Sequence, residues 1–326
     1  MFDRLVVQMR QRPWLFAAFL GVALLVANVV AQPEFGKPGN WPRELATFAP
    51  LALVAFASTP AIVSGGGGLD LSVGPLAVLV NVLLVQSLLP HGIDTVWECM
   101  PILTAMGLAV GAVNGILVSY FRYIPVIATL CMSFIITGIT TEVGANPKTA
   151  DSGNWTKDLA DSVGPIPGAV LLIGIPLLIW GALKLTSYHR TLYSTGGNDV
   201  TAYSAGVNVP VARVVAYALG GLFAVFAGIA LTALVQSAQP ASTGYYVLVG
   251  LTAVALGGTP LFGGVGGMSC AFCGAAVLYL IQTLLSSVSV PPNWINVVYG
   301  GMLVIGVLIG AAVMLYTPRR MRGVVA

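Results

Sequence analysis

Charge is what this chain has least of. Lys, Arg, Asp and Glu make up 8% of its 326 residues, while 57% are hydrophobic and the mean hydropathy is +0.91. A soluble domain carries about a quarter charged residues, so a water-soluble globular fold is excluded. No basic patch interleaved with aromatics offers a nucleic-acid surface. Histidine is confined to His91 and His189, and neither sits in a cluster that suggests a metal site or a catalytic dyad. Of the four cysteines, Cys99 and Cys131 read as packing residues. Cys270 and Cys273 form a C-x-x-C inside an apolar run with no second pair, which argues against zinc or redox work. Gly-Lys-Ser/Thr occurs nowhere, so the glycine-rich stretches are not phosphate loops. No Ser/His/Asp grouping is present either, and no catalytic residue and no metal ligand is expected.

Long apolar runs are what the chain has most of. Segments of about 20 residues recur along its length, the pattern of an all-α integral membrane protein with about ten transmembrane helices. They lie near 14–31, 46–63, 71–89, 98–120, 124–144, 167–185, 212–235, 246–257, 267–288 and 293–316. The eighth is short enough to be half-buried or re-entrant. The first follows Arg4, Arg10 and Arg12 and ends in Val29-Val30-Ala31, which resembles a cleavage site. It is nevertheless long enough to cross a bilayer and many spans follow, so it reads as an uncleaved helix. With the N-terminus inside, ten Lys and Arg residues fall on the inner side, among them Arg122, Lys184, Arg190, Arg213, Arg319, Arg320 and Arg322. Four fall outside: Lys37, Arg43, Lys148 and Lys157. The positive-inside rule therefore puts both termini in the cytoplasm.

Two glycine clusters interrupt these runs. The first, Ser64-Gly65-Gly66-Gly67-Gly68-Leu69-Asp70-Leu71-Ser72-Val73-Gly74-Pro75, sets a helix-breaking turn and one carboxylate between apolar stretches. Lipid tolerates unwound backbone only where protein or a water-filled cavity surrounds it, so a break at membrane depth points to a solute path. A central Asp costs about 2.5–3.5 kcal/mol on insertion. The Leu and Val residues of 69–89 return roughly 4–8 kcal/mol, so insertion does not locate Asp70. Either Asp70 or Ser72 caps the helix that Pro75 helps to start, or they stand at a path or gate. The second cluster, Gly257-Gly258-Thr259-Pro260-Leu261-Phe262-Gly263-Gly264-Val265-Gly266-Gly267, makes a second break in the other half. Asn81, Asn114 and Thr129 are polar side chains within spans, able to bind solute hydroxyls or to bond between helices. Gly107, Gly111 and Gly115 share one helical face and read as helix packing. The largest inner loop spans 186–211, with turn chemistry at Gly196-Gly197-Asn198 and then a short helix ending near Gly206. That helix suits contact with a cytoplasmic partner, or the stretch is a plain connector.

Together these pieces resemble the membrane permease subunit of bacterial ABC importers for monosaccharides of the ribose and galactose type. Leu69-Asp70-Leu71-Ser72-Val73-Gly74 is similar to that family's first signature, with Leu for Ile and extra glycines before it. Gly111-Ala112-Val113-Asn114-Gly115, Ile124-Pro125 through Thr129, and Leu256-Gly257-Gly258-Thr259-Pro260-Leu261-Phe262-Gly263-Gly264 follow in the family's order. Gly196, Gly197, Asn198, Asp199, Ala205, Gly206 and Asn208 resemble its ATPase-coupling segment. The resemblance implies a single transmembrane permease domain over 1–326 with its coupling loop at 186–211. It implies a non-enzymatic subunit in the inner membrane that binds no cofactor, with ATP and Mg used by a partner P-loop ATPase. It also implies a second permease, identical or related, and a periplasmic sugar-binding protein. The chain departs from the pattern at Gly65–Gly68, at Asp199-Val200-Thr201-Ala202 where Glu-Ala-Ala is common, and at Tyr245-Tyr246-Val247-Leu248 where an acidic residue often follows Gly-Tyr. The first and third of these departures leave the sugar open and are compatible with two unlike permeases. The same architecture could carry a branched-chain amino acid or nucleoside. An ion-coupled secondary carrier would need intramembrane coupling residues that the spans, beyond Asp70, barely offer.

Overall fold

A computed structural model describes residues 12–315 apart from Pro147 and Ser152. The topology residues Arg4, Arg10, Arg319, Arg320 and Arg322 lie outside the described residues. The protein is all-α and built for a membrane. The long helices are α1 (Trp14–Ala31), α2 (Trp41–Val63), α3 (Val73–Leu83), α4 (Val96–Ser119) and α5 (Pro125–Val143). After a one-turn helix α6 (Trp155–Asp158) and a two-residue hairpin (Ser162–Val163 with Ile166–Pro167) come α7 (Gly168–Lys184), α8 (Ser187–Gly197) and α9 (Asp199–Ser204). The chain closes with α10 (Val209–Val235), α11 (Thr243–Leu256), α12 (Met268–Ser287) and α13 (Pro292–Leu315).

Each of the ten apolar segments falls on a helix, but they are not equal as spans. Among the described residues seven helical runs are long and apolar enough to cross a bilayer, and an eighth arises if α7 and α8 count as one broken span. α8 turns 87° away from α7. The stretch 186–211, expected to hold one short helix, thus holds two.

α2, α3 and α10 form the centre. From Phe48 to Val63 every residue of α2 is buried, and so are Val73–Val82 of α3. α10 packs against α2, α3 and α4, and α11 and α12 close the other flank. α1, by contrast, shows Phe19 and Val30 to the surroundings at 78% and 77% exposure, as a helix facing acyl chains should. Without a hydrophobic force between helices in lipid, close van der Waals packing has to hold the bundle. The glycines supply it. The α4 face of Gly107, Gly111 and Gly115 meets the α10 backbone: a β-carbon at Gly111 would lie 2.2 Å from the Tyr217 carbonyl oxygen, and one at Gly221 of α10 would lie 2.0 Å from that of Gly107.

The first glycine cluster sits differently from the expected mid-membrane break. It is a reversal at one end of two complete spans, with Gly66 and Gly67 exposed at its tip. Only the Leu69–Ser72 limb dips back into the bundle, where Asp70 is 1% exposed.

Gly111→Val is expected to lower thermal stability by about 1–3 kcal/mol, the usual cost of overpacking. Gly138→Ala, in α5 with nothing within 4 Å, is expected to be neutral or stabilising by up to about 1 kcal/mol. Melting curves of both variants in one detergent check the contrast.

Candidate functional site at the glycine junction

Three segments remote in sequence meet backbone to backbone at one end of the bundle. Gly65, Gly66 and Gly67 all adopt left-handed backbone, with φ of 75°, 64° and 71°. A run of that kind is open only to glycine without strain. It lets the turn leave α2 and lie against two other loops. The Gly264 N–H donates to the Val63 carbonyl at 3.0 Å, joining the second cluster to the end of α2. Gly196, in the last turn of α8, fills the space between them. A β-carbon there would lie 1.9 Å from the Val63 oxygen and 2.6 Å from the Gly264 nitrogen. One on Gly65 would lie 2.6 Å from the Gly196 α-carbon, and one on Gly263 2.4 Å from that of Gly65.

Side chains bolt α8 into this junction. The Tyr188 hydroxyl donates to the Ala212 carbonyl at 3.1 Å and the Tyr193 hydroxyl to that of Gly266 at 2.7 Å. Leu192 and Thr195 are buried beneath. His189 is not an isolated loop residue: its ring lies 4.5 Å from that of Tyr193. Burial, with a smaller push from Lys184, holds its imidazole below the ordinary range. At the next turn Asn198 caps α9, its carbonyl oxygen accepting from Thr201 N–H at 2.9 Å. Ala205 and Gly206, the latter with φ 85°, end that helix, and Asn208 caps α10 through Val211 N–H at 3.2 Å. Asp199 pairs with Arg213 of α10 at 3.0 Å. The Arg213 guanidinium lies over Gly66, where a β-carbon would sit 2.5 Å from it.

The candidates of the first cluster gather just inside. One Asp70 carboxylate oxygen accepts from the Ser72 N–H at 2.9 Å and the Ser72 hydroxyl at 2.6 Å. The Asn114 amide donates to that same hydroxyl at 2.8 Å. Thr129 of α5 donates to the Leu69 carbonyl at 3.1 Å or to that of Pro125 at 2.8 Å. Asp70 therefore braces its own loop, and Ser72, at the position before α3, makes no side-chain cap. The second Asp70 oxygen, the Asn114 carbonyl oxygen and the Tyr217 hydroxyl are buried without a hydrogen-bond partner among the described residues.

Two other candidates lie elsewhere. Asn81 is at the opposite end of α3, donating to Thr232 at 3.1 Å and Ser237 at 3.0 Å and accepting from the Gln239 N–H at 2.9 Å. Its hydrogen bonding is largely used within the protein. Gly257 is pressed against the Cys270 carbonyl, where a β-carbon would lie 1.9 Å away. Gly258 abuts Pro13, and Thr259 accepts a long bond of 3.4 Å from Gly267 N–H. This trio holds α11 to α12 rather than joining the Asp70 group. Arg213, read from the sequence only as an inner-side charge, and Tyr217 were not among the site candidates. The available signal was a lone arginine and a tyrosine four residues apart, on one face at the start of a span.

The junction predicts opposite outcomes for adjacent residues. Gly196→Ala is expected to cost at least about 1–3 kcal/mol of stability, because its neighbours are backbone and cannot yield. Gly197→Ala, with nothing within 4 Å, is expected to leave stability and assembly unchanged. Size-exclusion profiles and melting temperatures of the two variants provide the check.

Residues 43–307 match the family described as branched-chain amino acid transport system / permease component. The chain is 32% identical to the ribose import permease protein of Bacillus subtilis (strain 168) over 297 residues, covering 89% of this chain and 91% of that one. It is 31% identical to the ribose import permease protein of Escherichia coli (strain K12) over 310 residues, covering 91% and 94%. With the fructose import permease protein of Rhizobium meliloti the identity is 28%, covering 89% and 82%. No solved structure matches. A family match over most of the chain, carried by helices that pack as membrane spans, makes this protein a member of the family described as branched-chain amino acid transport system / permease component.

Proposed function

We propose that the chain is the inner-membrane permease subunit of an ATP-driven ABC importer that translocates a monosaccharide. The similarity to ribose and fructose import permeases over about nine-tenths of the chain carries this reading. The family description names a branched-chain amino acid system, which keeps such a solute as the second reading. In the favoured topology both termini are cytoplasmic and about ten segments enter the membrane. The glycine junction then lies at the cytoplasmic end. A periplasmic binding protein delivers the sugar, and a second permease, identical or related, completes the path. ATP and Mg act in a separate ATPase.

The coupling role falls on α8 and α9. α8 lies across the bundle end, perpendicular to α7. α9 turns Val200 and Tyr203 outward, each 72% exposed, as a helix docked by a partner would. A push on α9 reaches α10 through Asp199–Arg213 and the two glycine turns through Gly196. Asp70, Ser72, Asn114 and Thr129 hold the first turn from within, as a gate brace. They are buried in the single protomer, so a path between two protomers would not expose them without rearrangement. Two conformations whose balance partners shift are all that the permease has to supply.

The direct test is purification of the complex from native membranes and reconstitution in liposomes. The expected result is a co-purifying P-loop ATPase and sugar uptake that needs ATP and the binding protein and ignores ionophores. Uptake driven by an ion gradient with no ATPase present would contradict the proposal. In the same assay Asp199→Asn is expected to reduce sugar moved per ATP by about fivefold or more, a typical coupling energy. The charge-exchanged pair Asp199→Arg with Arg213→Asp is expected to recover part of it.

A further inference from the structure

At the end of the bundle opposite the glycine junction a cavity of about 310 Å³ opens between α2, α10, the turn Pro240–Ser242, α11 and α12. That is at the small end of the roughly 300–1,000 Å³ range of ligand sites, room for one small ring. Its wall carries Thr47, Gln239, Ser242, Tyr245, Tyr246 and Gln282 over an apolar floor. Among the described residues neither acid nor base lines it.

The two glutamines are held from behind. The Tyr245 and Tyr299 hydroxyls both donate to the Gln282 carbonyl oxygen, at 3.3 and 2.9 Å. Its amide N–H groups make no hydrogen bond among the described residues. Gln239 is fixed at its backbone by Asn81 at 2.9 Å and at its amide nitrogen by the Ser237 hydroxyl at 2.8 Å. This leaves its carbonyl oxygen as a free acceptor. The Ser242 hydroxyl makes no hydrogen bond among the described residues either. Tyr245 and Tyr246 bring two aromatic rings to the same wall, 5.0 Å apart and nearly perpendicular.

A fixed amide donor, a fixed amide acceptor, a free hydroxyl and ring faces suit a neutral polyol, whose hydroxyls both donate and accept. They do not suit an amino acid zwitterion, whose ammonium and carboxylate would enter without a counter-charge, at a high desolvation cost. We infer that this cavity is the outer sugar-contact site, taking one neutral monosaccharide between Gln239 and Gln282 with its ring against the tyrosine pair. The inference rests on the importer reading and narrows it, because it selects sugar over amino acid.

The test is competitive uptake by the reconstituted complex, with ribose, fructose, allose and leucine as probes and with the variants Gln282→Leu, Gln239→Ala and Tyr245→Phe. Loss of one hydrogen bond to a bound hydroxyl changes uptake about three- to tenfold. The glutamine variants are expected to lower sugar uptake by that factor and to change the ratio between sugars. Tyr245→Phe, which frees the Gln282 amide to turn, is expected to act in the same direction but less. Gln239 is half-buried in a turn, so Gln239→Ala keeps the test alive if Gln282→Leu fails to assemble. Wild-type rates and ratios in both glutamine variants, or an equal fall for every sugar, would overturn the site. Leucine uptake without sugar uptake would overturn it too. No ATP-driven uptake of any probe by the unaltered complex would instead overturn the importer reading on which it rests.

Discussion

The constraint on which the rest of the structure depends is backbone contact at the glycine junction. Gly65, Gly196 and Gly264 bring the end of α2, the end of α8 and the α11–α12 connection to distances that no β-carbon would allow. Packing of this kind has no soft side chains in it. A displacement of α8 therefore passes into both glycine turns with little lost to rotamer changes. Interfaces so packed shift between discrete arrangements rather than deforming gradually. Under the proposed function, an importer that alternates between two states would need that property where its ATPase pushes.

The bilayer as solvent explains where the polar groups went. Charges and hydrogen-bonding side chains gather at the two ends of the bundle, and the centre is left to Ala, Val, Leu, Phe and Gly. The junction end carries Arg213, Asp199, Asp70 and the caps of α9 and α10. The other end carries Asn81, Gln236, Gln239 and Gln282, with Asn154, in the connection between α5 and α7, bonded to Gln236 at 3.0 Å. Polar side chains buried within helices, such as Ser58, Thr59 and Thr252, return their hydroxyls to carbonyls in their own helices. This is the economical way to be polar in a region without water. Among these end groups the second Asp70 oxygen has no partner among the described residues, and under the proposed function the solute and the partner chains would act at these two ends.

Much of this was legible in the sequence, and what was not has a physical reason. Apolar periodicity located every long helix, and four-residue spacing identified the packing face of Gly107, Gly111 and Gly115. α8 was missed because its glycine-rich C-terminus reads as turn and its overall polarity as loop. Its anchors, Tyr188, Leu192 and Tyr193, show their purpose only against Ala212 and Gly266. The surroundings of Asp70 were hidden for the same reason. Asn114 and Thr129 lie more than 40 residues away along the chain, and helix rotation decides whether they reach the Asp70 loop. Asn81 looked like a path residue because polar groups in spans are costly. The structure shows that cost offset by Thr232, Ser237 and Gln239. The departure at Tyr245-Tyr246, unexplained by the sequence, falls on the wall of the outer cavity.

The most direct measurement is photocross-linking from a benzophenone side chain placed at Val200 of α9, in intact native membranes. The account predicts a covalent adduct with a cytoplasmic P-loop ATPase, lost when the same probe is moved to Asp158 near the opposite end. An adduct with a periplasmic protein from Val200, or an ATPase captured equally well from both positions, would contradict it.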